Sequence, residues 1–300
     1  MSRSALGFSR YDVGMLVVAL IWGGNFSANK YVLVALPPFT FAALRFLLAT
    51  ALLWAFAWSR RPKGPIPPGT WWRLGALGLI GNTGYQAAFM VGLLATTAIN
   101  SSLIMAALPV VVALLGAALG IERPSLRLWI GILVATMGVA LVIANQRVTF
   151  SSETLRGDLL VFLAMVCWAV FTVGVRRVGR DLDPIWVTAV TTTAGTPGLL
   201  LAAARELPAV AWSNLSALIW VAFAYSALLA IVLAYMLWNY AVQGIGGSRT
   251  ALYNCLIPLV AAAVAWVVLG ERPGPGHAVG AFLVIGGVLL SREPPRPLTT

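Results

Sequence analysis

The chain has 300 residues, of which 60% are apolar and 10% are charged, and its formal net charge is +11. Globular domains carry about 25% charged residues, so this composition excludes a soluble protein and indicates an integral membrane protein. The polar stretches between the apolar runs are short, which leaves no room for a separate soluble domain.

Ten apolar runs follow one another along the chain, and each approaches the roughly 20 residues that a helix needs to cross a bilayer. They lack the alternation of polar and apolar residues typical of outer-membrane strands, so we predict an all-α integral membrane protein with ten transmembrane helices. The first run is too long for a signal-peptide core and lacks a convincing cleavage site, so we expect it to remain as the first span. The predicted spans are 12–31, 39–59, 72–94, 97–119, 126–145, 157–177, 184–204, 214–241, 248–269 and 276–291.

The first span ends in the sequence IWGGNFSANK, which combines two glycines with an indole, two amides and a cation. Gly23 and Gly24 have no side chain, so another helix or a ligand can approach the backbone closely. Trp22 and Asn25 offer a stacking face and hydrogen bonds toward a cavity. Helix packing with an interfacial tryptophan explains the same residues equally well. We expect the Lys30 ammonium to reach the membrane interface, with attraction of a substrate carboxylate as the alternative.

Polar and aromatic side chains concentrate in spans 3, 4, 8 and 9. Buried amides and hydroxyls in hydrocarbon need partners, so they face one another, water or a solute. Bonds between neighbouring helices explain any single one of them, whereas the whole set favours a central cavity. The candidate substrate-binding residues are Trp22, Asn25, Asn82, Tyr85, Gln86, Phe89, Asn100, Ser101, Met105, Trp168, Tyr235, Trp238, Asn239, Tyr253 and Asn254.

Two prolines fall near the middle of spans 4 and 9. Pro109 and Pro258 should each free a backbone carbonyl four residues earlier, at Met105 and Asn254, and kink the helix at a similar depth. Matched kinks near the membrane midplane indicate a pair of hinges. Static bends, which membrane helices tolerate, are the alternative.

The chain repeats itself weakly. One match aligns LPVVVALLGAALGIERP with IPLVAAAVAWVVLGERP, at an offset of 149 residues that pairs Pro109 with Pro258. The earlier spans match at an offset of 146 residues, which pairs Trp22 with Trp168. We therefore divide the chain into two five-helix units, residues 1–147 and 148–300. Because five is odd, the second unit must run upside down relative to the first. Inverted repeats of this kind are the architecture of many secondary transporters, and duplication kept only for stability is the alternative.

The basic residues fall mostly in loops on one side of the predicted topology. The positive-inside rule therefore puts both termini in the cytoplasm. This distribution also accounts for the net charge without a surface for DNA or RNA. Spans 5 and 10 contain little besides Gly, Ala, Val, Leu and Ile, so we expect them to lie at the periphery, against lipid or against a second copy in a homodimer.

The sequence resembles the drug/metabolite transporter (DMT) superfamily, and its EamA family in particular. The resemblance rests on WGGNF followed by a lysine, the ten spans, the two five-span halves, and the GIERP and GERP turns after spans 4 and 9. General likeness brings it nearest to the YddG-type amino-acid exporters of bacterial inner membranes. The second half departs from the first, because CWAVFTVGVRR has lost the paired glycines and Asn25. A symmetric substrate site is therefore not expected.

The acidic residues fall at span ends or in loops, and the one histidine, His277, lies at the external edge of span 10. Proton-coupled pumps usually place a protonatable group within the membrane, so we predict facilitated or weakly coupled export by alternating access. A cavity of amides and aromatic rings suits an amino acid, either aromatic or otherwise neutral. A sugar phosphate fits poorly without a pair of basic groups at mid-depth.

The sequence also bears on other functions. A drug, nucleotide-sugar or other metabolite carrier of the same superfamily is the alternative, and a channel would also need only a polar path. The sequence lacks the zinc-protease, nucleophile-elbow and phosphate-loop motifs, so we predict no enzyme activity and no cofactor. Cys167 and Cys255 lie within spans and, with one histidine, cannot form a four-ligand metal site.

Overall fold

The computed structural model describes residues 9–62, 64–96, 98–144, 152–269 and 275–291. Within these ranges the secondary structure is helical and contains no strand, which confirms the prediction of an all-α protein. Apolar runs fold as helices in lipid because a helix satisfies its backbone hydrogen bonds within the segment. The helices are α1 (Arg10–Leu33), α2 (Pro38–Ala57), α3 (Thr70–Gly78), α4 (Tyr85–Ala95), α5 (Ala98–Ala106), α6 (Leu108–Ala118), α7 (Leu126–Ala144), α8 (Ser152–Val178), α9 (Pro184–Ala203), α10 (Ala217–Ala224), α11 (Ala234–Ile245), α12 (Gly247–Leu252), α13 (Ile257–Leu269) and α14 (Pro275–Leu290).

These helices coincide with the ten predicted apolar runs. The third, fourth, eighth and ninth runs are each divided between two helices. Length and composition support membrane crossing for five continuous helical stretches in the described part of the chain, and the full set of ten spans remains a prediction. The five stretches are Pro38–Arg60, Thr70–Ala95, Thr154–Val178, Pro184–Ala203 and Ala217–Ile245, and three shorter apolar helices are Leu108–Ala118, Leu126–Val142 and Ala278–Leu290.

A π-helical turn interrupts both the third and the eighth run. Leu79–Gly84 separates α3 from α4, and Tyr225–Leu233 separates α10 from α11. The offset of 149 residues that relates the two prolines places the first turn on residues 228–233, which lie within the second turn. Because a π turn widens the helix and redirects backbone carbonyls, such turns are frequent at functional sites.

The fourth and ninth runs break just before their prolines. Helix α5 ends at Ala106 and α6 begins at Leu108, directly before Pro109. A 3₁₀ turn, Tyr253–Leu256, links α12 to α13 ahead of Pro258. Proline lacks an N–H donor and its ring clashes with the preceding turn, which explains both breaks. Motion at these breaks, and with it the hinge role, remains a prediction.

Local sequence fixes several helix starts. At α1, Ser9 and Asp12 form a capping box, in which each side chain accepts a hydrogen bond from the other's backbone N–H. At α9, Asp183 caps the helix through the N–H groups of Ile185 and Trp186, with Pro184 at the first helical position. Such caps satisfy backbone donors that the helix leaves without partners.

Helix contacts in one half have counterparts in the other. Helix α1 packs on α11 and α13. Its counterpart in the second half, α8, packs on α4 and α6, which are the counterparts of α11 and α13. Helix α7 packs along α14, and α2 packs along α9. Each of these last two pairs joins a predicted span of the first half to the corresponding span of the second.

Glycines bring α7 and α14 into close contact. A methyl group placed at Gly131 would lie 2.7 Å from the carbonyl oxygen of Gly287, and one at Gly138 would lie 2.7 Å from that of Gly280. Gly131 is equivalent to Gly280, and Gly138 to Gly287, at the offset of 149. The two contacts are therefore reciprocal, and the backbones approach closely because no side chain separates them.

The outer surface is apolar, with tryptophans near the helix ends. Phe282 on α14 and Leu126 on α7 are 77% and 76% exposed. Trp58 and Trp72 flank the turn between α2 and α3, and the Arg61 guanidinium lies 3.3 Å from the centre of a Trp58 ring. Exposed aliphatic side chains bordered by tryptophan and arginine are typical of a lipid-facing surface and its interfacial belt.

Candidate functional site

A central cavity lies where the interrupted runs meet α1, α2 and α8. Its volume is about 70 Å³, and because one water needs about 10–15 Å³ on this scale, it has room for several waters or a small solute. Nine predicted binding residues line it, which are Trp22, Asn25, Tyr85, Gln86, Phe89, Met105, Trp168, Tyr235 and Asn254. Of the two predicted hinge prolines, Pro258 also lines the cavity, whereas Pro109 is buried in α6.

One wall of the cavity is aromatic. The Trp22 ring makes an edge contact with Trp168, with ring centroids 5.9 Å apart, and Trp168 lies 5.0 Å from Tyr235 and 5.1 Å from Tyr85. The indole N–H of Trp22 donates to the carbonyl oxygen of Ala230, 3.0 Å away in the second π turn. This bond orients the indole, and aromatic rings of this kind accommodate apolar or cationic groups.

Another part of the lining is polar and contains Arg45, which the sequence analysis did not include among the candidate binding residues. Arg45 lies in the second turn of α2 and is 1% exposed. Its Nη1 donates to Ser226 Oγ at 2.7 Å and to Asn29 Oδ1 at 3.3 Å, and its Nη2 donates to Gln86 Oε1 at 3.3 Å. The guanidinium carbon also lies 4.1 Å from the centre of the Phe41 ring. Every oxygen that receives these bonds is neutral.

The sequence did contain a signal for Arg45. It is the one charged residue of α2, whose sequence is PFTFAALRFLLATALLWAFA. An ionisable residue inside an apolar span is expensive, which makes it a functional candidate by default. Asn29 had a weaker signal, since it follows Asn25 by four residues and shares its face of α1.

Three polar atoms of the cavity lining lack a hydrogen-bond partner within the described ranges. They are Asn25 Oδ1, Asn254 Oδ1 and Arg45 Nε. Buried polar atoms in folded proteins are nearly always bonded to protein or water. These two acceptors and one donor are therefore the groups available to a solute or to waters in the cavity.

Three other predicted binding residues lie in the helix packing around the cavity. Asn82 donates to the Thr191 carbonyl at 2.8 Å, and Asn239 donates to Thr188 Oγ1 at 2.8 Å. Both bonds tie the interrupted runs to α9. Trp238 is fully buried, with its ring 5.3 Å from that of Trp22, so it supports the aromatic wall from behind.

Two acidic clusters contain two further predicted residues, Tyr253 and Asn100. The Tyr253 hydroxyl donates to Asp12 at 2.5 Å, and Arg249 forms an ion pair with the same carboxylate at 3.2 Å. At the equivalent position of the second half, Asp158 accepts bonds from Thr96 at 2.6 Å and from Asn100 at 3.1 Å.

The last predicted binding residue, Ser101, is fully buried on α5 and does not line the cavity. The Lys30 and His277 side chains and residues 270–274, which include the second Glu-Arg-Pro turn, lie outside the described part of the structure. Cys167 and Cys255 are both free thiols. Within the described ranges, no group of three His, Cys, Asp or Glu side chains could hold a metal ion.

Comparison with known proteins gives consistent matches along the chain. The model of the EamA-like transporter family matches twice, over residues 9–144 and 155–292. The uncharacterized transporter YyaM of Bacillus subtilis (strain 168) is 32% identical over 92% of this chain and 91% of that protein. An uncharacterized transporter of Archaeoglobus fulgidus is 32% identical over 94% and 97%. A solved crystal structure with 19% identity matches in fold, with a TM-score of 0.75 over 94% of this chain and 96% of the other.

Proposed function

Because this chain belongs to the EamA-like transporter family, it is a membrane transporter of small metabolites, and we propose that it exports neutral amino acids, including aromatic ones. The family and the named relatives are transporters, so the chain is not an enzyme. We also propose that it is most similar to the YddG-type exporters and lies in a bacterial inner membrane.

The cavity lining is the observation that carries the proposal. An amino acid presents an ammonium, a carboxylate and a side chain within a few ångströms. The cavity offers unpartnered amide oxygens at Asn25 and Asn254, a buried guanidinium at Arg45, and an aromatic wall. Amide oxygens accept from an ammonium, a guanidinium donates to a carboxylate, and ring faces accommodate apolar side chains.

Alternating access through two inverted units, residues 1–147 and 148–300, is the mechanism that we propose. The reciprocal contacts support it, because two-fold symmetry requires that a contact between two positions recur with the halves exchanged. Near such an axis, equivalent residues contact each other directly. Four pairs do so: Trp22 with Trp168, Thr50 with Thr196 at 3.0 Å, Gln86 with Tyr235 at 3.5 Å, and Ala106 with Cys255 at 4.0 Å.

The inverted topology is tested by labelling single cysteines in a chain with Cys167 and Cys255 replaced by alanine. Ser125 precedes α7 and Gly276 lies in the first turn of α14, in the corresponding turns of the two halves. With both termini cytoplasmic, a membrane-impermeant maleimide should label Gly276→Cys from outside and Ser125→Cys only after the membrane is opened. If both were labelled from the same side, the two halves would not be inverted.

We propose facilitated transport without strong proton coupling. None of the described residues that line the cavity is acidic or a histidine, so no group there alternates charge near neutral pH. Lipid is the partner that we propose for the outer faces of α7 and α14, and a second copy of the chain is the alternative.

The deciding experiment uses purified protein in liposomes preloaded with one labelled amino acid at a time. We expect saturable efflux of at least one neutral amino acid, acceleration by unlabelled solute on the opposite side, and no uphill accumulation when a pH gradient is imposed. Single-channel currents would favour a pore instead. Counterflow confined to drugs, nucleotide-sugars or other metabolites would support the alternative carriers of the superfamily.

A further inference from the structure

We propose that Arg45 is the anion-binding group of the central cavity, and that the cavity takes solutes that place a single carboxylate on it. This inference rests on the proposed function, since it assumes that the transported solute enters this cavity. It goes further by assigning one end of the solute to a residue that stood outside the predicted binding set.

Arg45 is a buried cation with no counter-charge among the residues that the structure describes. Within the described ranges it forms no salt bridge. Burying an ion away from water is strongly unfavourable unless an opposite charge or a full set of hydrogen bonds compensates it. The neutral oxygens of Asn29, Ser226 and Gln86 and the face of Phe41 compensate only in part. A solute carboxylate would supply the missing charge.

The unused donors of Arg45 suit a carboxylate in particular. A guanidinium has five N–H donors in a planar fork. Three are engaged, two from Nη1 and one from Nη2, and Nε has no partner. The neighbouring oxygens hold the guanidinium in place before a solute arrives, so little side-chain freedom is lost on binding.

The charge of the cavity limits the anion to a single negative charge. Arg45 is the one charged side chain among the described residues that line it. The position equivalent to Arg45 in the second half is Thr191, whose hydroxyl donates to the backbone carbonyls of Val187 and Thr188. The repeat therefore supplies no second cation there. A phosphate dianion would keep an uncompensated charge, whereas a carboxylate would be neutralised.

The test compares three solutes that share a benzyl group: phenylalanine, phenylalanine amide and 3-phenylpropionate. In liposomes, we expect wild-type protein to prefer phenylalanine to the amide by about 100-fold in KM, because the amide cannot pair with the guanidinium. Arg45→Gln should raise the KM for phenylalanine by about 100-fold and remove the preference. Arg45→Lys should recover part of the affinity, since it keeps the charge but not the fork.

A second measurement separates binding from a purely structural role. Without solute, Arg45→Gln should melt at the same temperature as wild type or higher, because it removes an uncompensated buried cation. Phenylalanine should stabilise wild type against heating and leave Arg45→Gln unchanged. A structural Arg45 would instead lower the melting temperature of the empty protein. Thr191→Ala, at the equivalent position, is the matched control and should behave as wild type in both assays.

The outcomes distinguish this inference from the proposed function. If wild type transports phenylalanine and Arg45→Gln does so with an unchanged KM, or if wild type accepts the amide as well as the acid, the assignment of Arg45 is wrong while amino-acid transport stands. If wild type transports no amino acid but is stabilised by 3-phenylpropionate in an Arg45-dependent way, the anion site stands and amino-acid transport is wrong.

Discussion

The two halves of the chain match more closely in the contact between α7 and α14 than in the central cavity. Between α7 and α14, Gly131 meets Gly287 and Gly138 meets Gly280, so each half contributes the same residue at the same position. Around the cavity Trp22 and Trp168 match, but other equivalent positions hold different residues, such as Arg45 and Thr191. Packing therefore keeps the symmetry that the chemistry of the cavity has lost.

This difference has a physical reason. A two-fold arrangement of helices needs only matching shapes, which small residues provide on both sides. A solute such as an amino acid has two unlike ends, so a site that binds it benefits from a cation on one side and acceptors on the other. Substitutions at equivalent positions of the two halves test this difference, since equal effects indicate symmetry and unequal effects indicate its loss.

The largest expected effect lies in the symmetric region. Gly131→Leu and Gly280→Leu, at equivalent positions of the two halves, each place a side chain against the partner helix backbone, where even a methyl group would approach a carbonyl oxygen to within 2.7 Å. Overpacking of this kind costs about 1–3 kcal/mol. We expect both variants to melt well below wild type in detergent, and by similar amounts.

Gly286→Leu is the control for this pair. Gly286 is on α14, and a methyl group added there would meet no atom within 4 Å. Its melting temperature should stay near that of wild type. A large loss in only one of the two paired variants would mean that the α7–α14 contact is not equivalent from its two sides.

The sequence predicted the helices and nine residues of the cavity lining, but neither the contact between α7 and α14 nor the place of Arg45. The reason is the range of the interactions, because apolar runs specify helices locally, whereas both of these contacts join distant parts of the chain. The position of Arg45 depends on Asn29, Gln86 and Ser226, which come from three other parts of the chain. No local pattern specifies that meeting. Arg45 was therefore not among the predicted binding residues.

The same limit applies to the amides. Asn82 and Asn25 looked alike in the sequence, as polar residues inside apolar runs. In the structure Asn82 bonds to the backbone of α9, whereas Asn25 lines the cavity with a free acceptor. The π turns were also missed, because residues such as those of Leu79–Gly84 have no sequence signature that separates them from an ordinary helix.

A middle-sized effect is expected at the two acidic clusters. Asp12→Asn leaves Arg249 without its charge partner and weakens the bond from Tyr253, whereas Asp158→Asn removes only bonds from the neutral Thr96 and Asn100. Hydrogen bonds that involve a charged group contribute about 1.5–3 kcal/mol, and the Arg249 pair is partly exposed, so about 1–2 kcal/mol is expected for Asp12→Asn.

Comparing the melting temperatures of the two variants measures this asymmetry. Asp12→Asn should be the less stable, and Arg249→Gln in the same background should add little further loss because the ion pair is already broken. Fully additive losses would mean that Asp12 and Arg249 are not coupled.

The smallest expected effect concerns the two prolines. The helix breaks just before each proline, and Pro109→Ala or Pro258→Ala restores the missing N–H donor. A continuous helix then becomes more favourable, so any bending during transport becomes slower. We expect each variant to transport about threefold to tenfold more slowly, which corresponds to about 1 kcal/mol in the barrier. Pro258 lines the cavity and Pro109 does not, so a change in KM should be confined to Pro258→Ala. Initial efflux rates across a range of solute concentrations separate the two parameters. Wild-type rates in both variants would show that the breaks are static bends and that the carrier changes conformation elsewhere.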